Sequence, residues 1–428
     1  MNIMNQNIYT VPKITPSSVQ VSLLGRDRNN QKKSYILSDR STAFVGCPGC
    51  GKTTQLFKVV NQIGRNSHGV TVILDIKKEY IYKCFRPGDV VLSLHNVPRL
   101  PEENHVKWSL MKEAWIDTHP EEVLKEISAM LFKDAIEHSE NTVFPKAAML
   151  VFYGQLVHYF RNCKGRLPFN SDLIKKLLTV SDAEIIDNVK KYADLFAVQD
   201  LLSKKTNITS YGVRMELKTI LLDVFPIGSN FCADNSRFSI RQFMKEGYGR
   251  RLFIVFDIEN RKSSEAIIRL LLDLALKESL TGKNVEDSNM TRYNFVLDEY
   301  AYLPSGLEYL DFSKDMGRSK GVRIYGGFQT FSQLKKLYGG KIESAMNDIA
   351  GYGDVIVFKP HDVATRELVV SRTGTEIASI TTIDTLCNVH TETREMPVVS
   401  PDVLNGLRCG EAVILPNEGR PFWFHFDK

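Results

Sequence analysis

The chain has 428 residues, 43% hydrophobic and 25% charged, enough apolar sequence to bury a full-sized core and too much for an intrinsically disordered protein. Lysine and arginine exceed aspartate and glutamate by 55 to 50, so the net charge of +5 permits a polyanionic partner without demanding one. Seven cysteines without regular pairing exclude a secreted disulfide scaffold and fit a reducing, cytoplasmic setting.

Met1–Gln20 is polar, with no apolar run of signal-peptide type, and no later window holds the roughly 18 uninterrupted apolar residues of a membrane span. Any membrane association is therefore expected to come from a partner. Ser41–Val45 is a short β-prone run that ends at a glycine-rich turn. Behind the turn, Leu56, Val59, Val60 and Ile63 recur at helical spacing from Lys52 onward. The turn, Gly46-Cys47-Pro48-Gly49-Cys50-Gly51-Lys52-Thr53, followed by Thr54, fits G-x-x-x-x-G-K-[ST] in the strand, loop and helix context that the motif requires. Its glycines let backbone N–H groups wrap a triphosphate at a helix N-terminus. Lys52 is then the residue to neutralise the β and γ phosphates of ATP, and Thr53 the one to set its hydroxyl on magnesium. Cys47 and Cys50 also have the C-x-x-C spacing of a redox pair or half a zinc site. No second C-x-x-C completes four zinc ligands, and a disulfide would strain a loop that must close on phosphate.

Val70–Asp75 and Val90–Leu94 are near-continuous apolar runs, the pattern of parallel strands buried on both faces. From about Pro120 to Phe225 the β-signal gives way to helical stretches at Val123–Ile136, Ala147–Phe160, Asp182–Phe196 and Tyr211–Val224, with breaks at Pro145, Gly165 and Pro168. After Pro226 the alternation returns: Leu252–Ile258, a helix around Ser264–Leu280, Tyr293–Asp298, Val322–Phe328 and Asp354–Lys359. The alternation predicts an α/β fold, a doubly wound, mainly parallel sheet with an inserted all-α domain. The expected boundaries are 1–115 for the first part of the nucleotide-binding domain, 116–230 for the insertion and 231–428 for the remainder.

Tyr293-Asn-Phe-Val-Leu-Asp298-Glu299 is an apolar strand ending in two acids. Paired with the P-loop, Asp298 is the magnesium-side candidate and Glu299 the base that polarises the attacking water; alone, such acids are also common turn and cap residues. A glutamate directly after the aspartate, so far along the chain, favours RecA-like motor ATPases over GTPases and small-molecule kinases, and no N-K-x-D guanine signature is present. Phosphoryl transfer is mainly positioning and charge stabilisation. Gln329, at the end of Val322–Phe328, stands where a γ-phosphate sensor would, and Arg318, in the turn before that strand, where an arginine finger could reach a neighbouring subunit. Each is otherwise a solvated loop residue.

Together these segments resemble the coupling ATPases of conjugative and type IV secretion systems, the TraD/TraG-like proteins related to the FtsK and HerA DNA pumps. The resemblance runs from the P-loop through Ile73-Leu-Asp75-Ile-Lys77-Lys-Glu79, Gly88-Asp89 and Trp108-Ser-Leu110 to Phe295–Glu299 and Gly317–Val322. It is most specific in Gly327-Phe-Gln329-Thr-Phe-Ser-Gln333-Leu334 with Tyr338-Gly339, and it closes with Ser400–Leu404, Gly410–Leu415 and Arg420-Pro421. It implies ATP and magnesium as cofactors, with Lys52 and Thr53 for phosphate and metal, Asp298 and Glu299 for metal and water, Arg318 as a finger in trans and Gln329 as sensor. It further implies a homo-oligomer, a hexameric ring, and sequence-nonspecific DNA, a relaxase or relaxosome and secretion-channel membrane proteins as partners. Two departures stand out: no transmembrane helix precedes the P-loop, and Lys78 occupies the usual glycine of D-x-K-G-E. Asp75, Lys77 and Glu79 therefore receive no chemical role, and Asp75 reads as a strand-end acid that satisfies a turn.

For DNA the candidate contacts are Arg161, Lys164 and Arg166, Lys204 and Lys205, and Lys335 and Lys336, although basic pairs on helices are usually solvated. Two alternatives remain open: a soluble FtsK/HerA-like pump without a secretion partner, and a nucleotide-gated relaxosome adaptor.

Overall fold

A computed structural model describes residues 21–66, 69–192, 195, 207–282, 284–285, 292–303, 306–383 and 389–427. The polar stretch Met1–Gln20 and the pair Lys204 and Lys205 lie outside the described residues. The strands are β1 (Ser22–Arg26), β2 (Lys32–Ile36), β3 (Thr42–Val45), β4 (Val70–Asp75), β5 (Val90–Ser93), β6 (Arg251–Val255) and β7 (Tyr293–Asp298). They continue with β8 (Val322–Phe328), β9 (Asp354–Phe358), β10 (Thr375–Ile383), β11 (Val389–Pro397), β12 (Glu411–Leu415) and β13 (Phe422–Phe426).

The chain forms two compact units. The first takes residues up to Leu74, Tyr82–Phe85 and Ser279 onward, and the second takes Asp75–Ile81 and Arg86–Glu278. The divisions therefore fall elsewhere than at 115 and 230, and the helical stretch 116–230 lies wholly within the second unit.

In the first unit the strands run in the order β2-β1-β13-β12-β9-β3-β8-β7-β4. β9, β3, β8, β7 and β4 pair in parallel, and every residue of these five strands is buried. That is what their uninterrupted apolar runs predict for a sheet covered on both faces. The block β2, β1, β13 and β12 is antiparallel and joins the core through β9. It escapes the strand-and-helix reading because its strands are short and partly wet: Lys32–Ile36 buries only Tyr35, and Phe422–Phe426 alternates between buried and half-buried positions. The helix Lys52–Asn66 packs on the sheet through Leu56, Val59 and Val60, all fully buried, each contributing ~1.5–3 kcal/mol relative to exposure. β10 and β11 form a separate antiparallel ribbon in register from Thr375 opposite Pro397 to Ile383 opposite Val389.

In the second unit β5 and β6 pair in parallel, and the helices are Pro120–His138, Val143–Asn162, Asn170–Thr179, Asp182–Lys190 and Asn207–Val224. Pro145 does not break its helix. It sits in the first turn, where its missing N–H would have had no intrahelical partner. The Gly165 break holds, with φ +83° between helices. Trp108 is fully buried and donates its Nε1–H to Glu113 at 2.7 Å. Glu113 also accepts from Ser239 Oγ and from the Ile240 N–H, both at 2.7 Å, so a fully buried carboxylate holds the start of the helix Ile240–Glu246. Asp89 takes Arg251 in a two-pronged pair at 2.9 and 2.6 Å. Trp108-Ser-Leu110 and Gly88-Asp89 thus have structural reasons.

Candidate nucleotide site

The site lies where the carboxyl ends of β3, β7 and β8 come together, the usual ligand position in an open parallel sheet. After β3 the chain turns through Gly46, Gly49 and Gly51 at φ +154°, +77° and +111°, conformations in which a side chain costs energy. A Cβ on Gly46 would approach Phe358 Cβ to 2.7 Å, whereas one on Gly49 would meet nothing within 4 Å, because that residue forms the open crown of the loop. The other side of the loop is braced by the chain's last strands: the Gly410 N–H donates to the Cys50 carbonyl at 2.9 Å, and Cys409 Sγ to the Gly49 carbonyl at 3.2 Å.

Lys52 opens the helix with its ammonium inside the site, 3.2 Å from Glu299 Oε1 and 3.6 Å from Asp298 Oδ1. All three residues are 4% exposed. Thr53 donates its hydroxyl to Asp298 Oδ2 at 3.2 Å. The P-loop and the acidic strand end, 245 residues apart in sequence, are therefore joined at two points. Gly327 makes room for this: a Cβ there would collide with Asp298 Oδ1. Glu299 has left-handed backbone angles, φ 61° and ψ 24°, held by its N–H on the Gly327 carbonyl at 2.8 Å. Such strain in a non-glycine residue costs ~1–3 kcal/mol and is typical of functional positions.

Gln329 joins the same cluster, its Nε2 lying 3.0 Å from both carboxylate oxygens of Glu299 and 3.2 Å from the Tyr302 hydroxyl. Arg318 does not. Its guanidinium lies on the half-exposed turn Gly317–Lys320 and bonds Asp39 Oδ2, at 2.8 Å from Nε and 2.6 Å from Nη2. The oxygen donors suit magnesium: one hydroxyl and one carboxylate stand side by side, the Thr53 Oγ1 on Asp298 Oδ2. The N–H groups after Gly49 and the Lys52 ammonium suit the phosphates.

The family description "type IV secretion-system coupling protein DNA-binding domain" matches residues 35–402. The chain belongs to the type IV secretion-system coupling protein family. No curated protein sequence is significantly similar to it. Among solved structures it is similar to the bacterial conjugative coupling protein TrwB in an unbound form, with TM-score 0.71 and 17% identity over 91% of this chain and 84% of that one. TrwB in complex with ADP and Mg2+ superposes with TM-score 0.68 and 18% identity over 91% and 85% of the two chains. VirB4 of Thermoanaerobacter pseudethanolicus does so with TM-score 0.56 and 12% identity over 95% and 96%. These likenesses show the RecA-like P-loop fold, and the family match favours secretion coupling over a pump without a secretion partner.

The coupling-protein segments acquire physical reasons in the structure. Asp75 accepts from the N–H groups of Glu79 at 3.0 Å and Ile81 at 2.7 Å, holding the turn ahead of the helix Glu79–Cys84. Burial raises its carboxyl to about 6 against the pull of those N–H groups. Lys78 has φ +58°, a left-handed conformation that glycine adopts at no steric cost. In Gln329–Gln333 the Thr330 side chain accepts from the Gln333 N–H at 3.2 Å while the Gln333 side chain reaches back to the Gln329 N–H at 3.1 Å. This variant of the capping box fixes Gln329. Thr330 and Gln333 had a visible signature, T-x-x-Q before an apolar run. Tyr302 had none, since only the fold brings its hydroxyl to Gln329. Of the DNA candidates, Arg161 pairs with Glu121 at 2.6 Å and lies over the Tyr192 ring, while Lys164, Arg166 and Lys336 are exposed.

Proposed function

We propose that this coupling protein is an ATP-hydrolysing motor, stimulated by DNA, that moves DNA or relaxase-bound DNA toward a type IV secretion channel. The observation that carries the reading is the joining of Lys52 and Thr53 to Glu299 and Asp298, with Gln329 on the same carboxylate. A phosphate between Lys52 and the acids would take over the ammonium, leaving Glu299 to accept a proton from water. Thr53 and Asp298 would hold magnesium, which neutralises charge that develops on the phosphates. Gln329, already bonded to Glu299, is placed to exchange that bond for one to the γ-phosphate and so pass the state of the nucleotide to the helix it precedes.

Arg318 would act on the nucleotide of a neighbouring copy within a hexameric ring. Lysines and arginines at the pore would hold the DNA backbone without reading bases. Among the described residues no helix is long and apolar enough to cross a membrane, and attachment to the inner face of the membrane is assigned to a partner.

The test is the rate of ATP hydrolysis with and without DNA, alongside native mass. DNA is expected to raise the rate; Lys52→Ala should lose nucleotide binding, and Glu299→Gln should bind nucleotide but not turn over. Equal rates with and without DNA would sink the motor reading.

A further inference from the structure

Two thiols lie within the P-loop that the nucleotide chemistry does not use. Cys47 and Cys50 are 7% and 4% exposed and both are free. The Cys50 N–H closes a turn on the Cys47 carbonyl at 3.4 Å, a geometry that keeps the two Cα atoms within ~7 Å, close to the ~4.4–6.8 Å a disulfide needs. Cys50 Sγ lies under the loop, where a Cβ on Gly46 would meet it at 2.9 Å. Cys409, exposed, stands on the outer side with its sulfur on the Gly49 carbonyl.

We propose that Cys47 and Cys50 form a dithiol–disulfide switch of nucleotide binding: the reduced loop accepts a triphosphate and the oxidised loop does not. The proposal rests on the nucleotide-binding reading above. The oxidant is a peroxide. One thiolate sulfur attacks the O–O bond of hydrogen peroxide, giving a sulfenic acid and, after proton transfer, water; the second thiol then attacks that sulfur and a second water leaves. The two sulfurs supply the two electrons that reduce the peroxide. A small-molecule or protein dithiol reverses the bond by exchange.

The cross-link would draw the two Cβ atoms to ~3.8 Å and fix the turn from Cys47 to Cys50. Phosphate binding needs the N–H groups that follow Gly49 to converge on one point. Gly49 and Gly51, at φ +77° and +111°, carry no Cβ to oppose a change of φ at either position. Burial pushes the Cys50 thiol up to about 11, which makes Cys50 a slow thiolate nucleophile and suits it to the second, resolving step.

The experiment treats the full chain with hydrogen peroxide, maps disulfides by mass spectrometry after blocking free thiols, and measures the affinity of a fluorescent ATP analogue before oxidation, after it and after reduction. A Cys47–Cys50 disulfide is expected, with affinity lowered by about tenfold or more and restored by the reductant. Cys47→Ser and Cys50→Ser should each abolish the peroxide response, whatever affinity they start from, while Cys409→Ser should keep it. A response that survives in Cys50→Ser or vanishes in Cys409→Ser overturns the proposal, as does a disulfide that leaves affinity unchanged. Failure of the reduced chain to bind the analogue would instead remove the nucleotide reading beneath it, and the disulfide map is independent of that result.

Discussion

Lys52 faces two carboxylates at a site where all three side chains are buried. Removing Lys52 leaves both acids buried without their cation, a change that typically costs ~3–5 kcal/mol. Loss of nucleotide binding in Lys52→Ala must therefore be read beside an unfolding curve, whereas Glu299→Gln keeps the shape and lowers the charge. Lys78 offers a cleaner test of backbone strain, because its φ of +58° is a conformation that glycine adopts at no steric cost. Lys78→Gly is expected to raise stability by about 0.5–1 kcal/mol, and Lys78→Val to lower it, because left-handed angles are worst for β-branched chains. Denaturant midpoints of the two variants check this, and an unchanged or lower midpoint for the glycine variant would contradict it. Asp75 was legible as a turn acid from its place at the end of a strand. The need for glycine at position 78 was legible only by comparison with a family pattern, since a lone lysine signals nothing about its own φ.

The turn that carries Glu299 is anchored one residue further on. Tyr300 is buried and donates its hydroxyl to Asp348 at 2.9 Å, and Tyr338 donates to the same oxygen at 2.8 Å. Lys314, also buried, pairs with the other Asp348 oxygen and donates to its carbonyl at 2.8 Å. Asp348, in the helix Ile342–Ala350, thus ties together the Glu299 turn, the helix Leu310–Asp315 and the end of the sensor helix Phe331–Leu337. Asp348→Ala should cost ~3–5 kcal/mol by taking the shared acceptor from Tyr300, Tyr338 and the buried Lys314, which keeps only Asp311, at 2.8 Å, while Tyr338→Phe should cost ~1 kcal/mol. Urea unfolding distinguishes the two, and equal small losses would show that the network is not what holds these elements. The Gln329–Gly339 segment was recognisable as a pattern, yet its reasons sit elsewhere: Tyr338 matters because of Asp348, ten residues on and featureless in sequence. The parallel strands were visible because burial on both faces writes continuous apolar runs. The antiparallel block was not, because its partly wet strands break those runs with lysine, serine and histidine.

In the single chain Arg318 is held by Asp39 and is not bonded to the Lys52 cluster, so hydrolysis is expected to depend on assembly. Arg318→Ala should bind nucleotide and lose turnover, and mixing it with Lys52→Ala subunits should restore part of the rate, since each supplies what the other lacks. Mixtures as inactive as either variant alone would remove Arg318 from the role. The sheet that seats the P-loop also has a consequence during synthesis. β3 pairs with β8 and β9, and Gln55 and Lys58, on the helix that Lys52 opens, donate to the carbonyl of Asp427 at 3.0 and 2.6 Å. At the ribosome's pace of ~5–20 residues per second, β3 waits on the order of 15–60 s for its neighbours to emerge. For that interval the edges of β3 have no partner strands, and its backbone N–H and C=O groups are open to mispairing until β8 and β9 emerge.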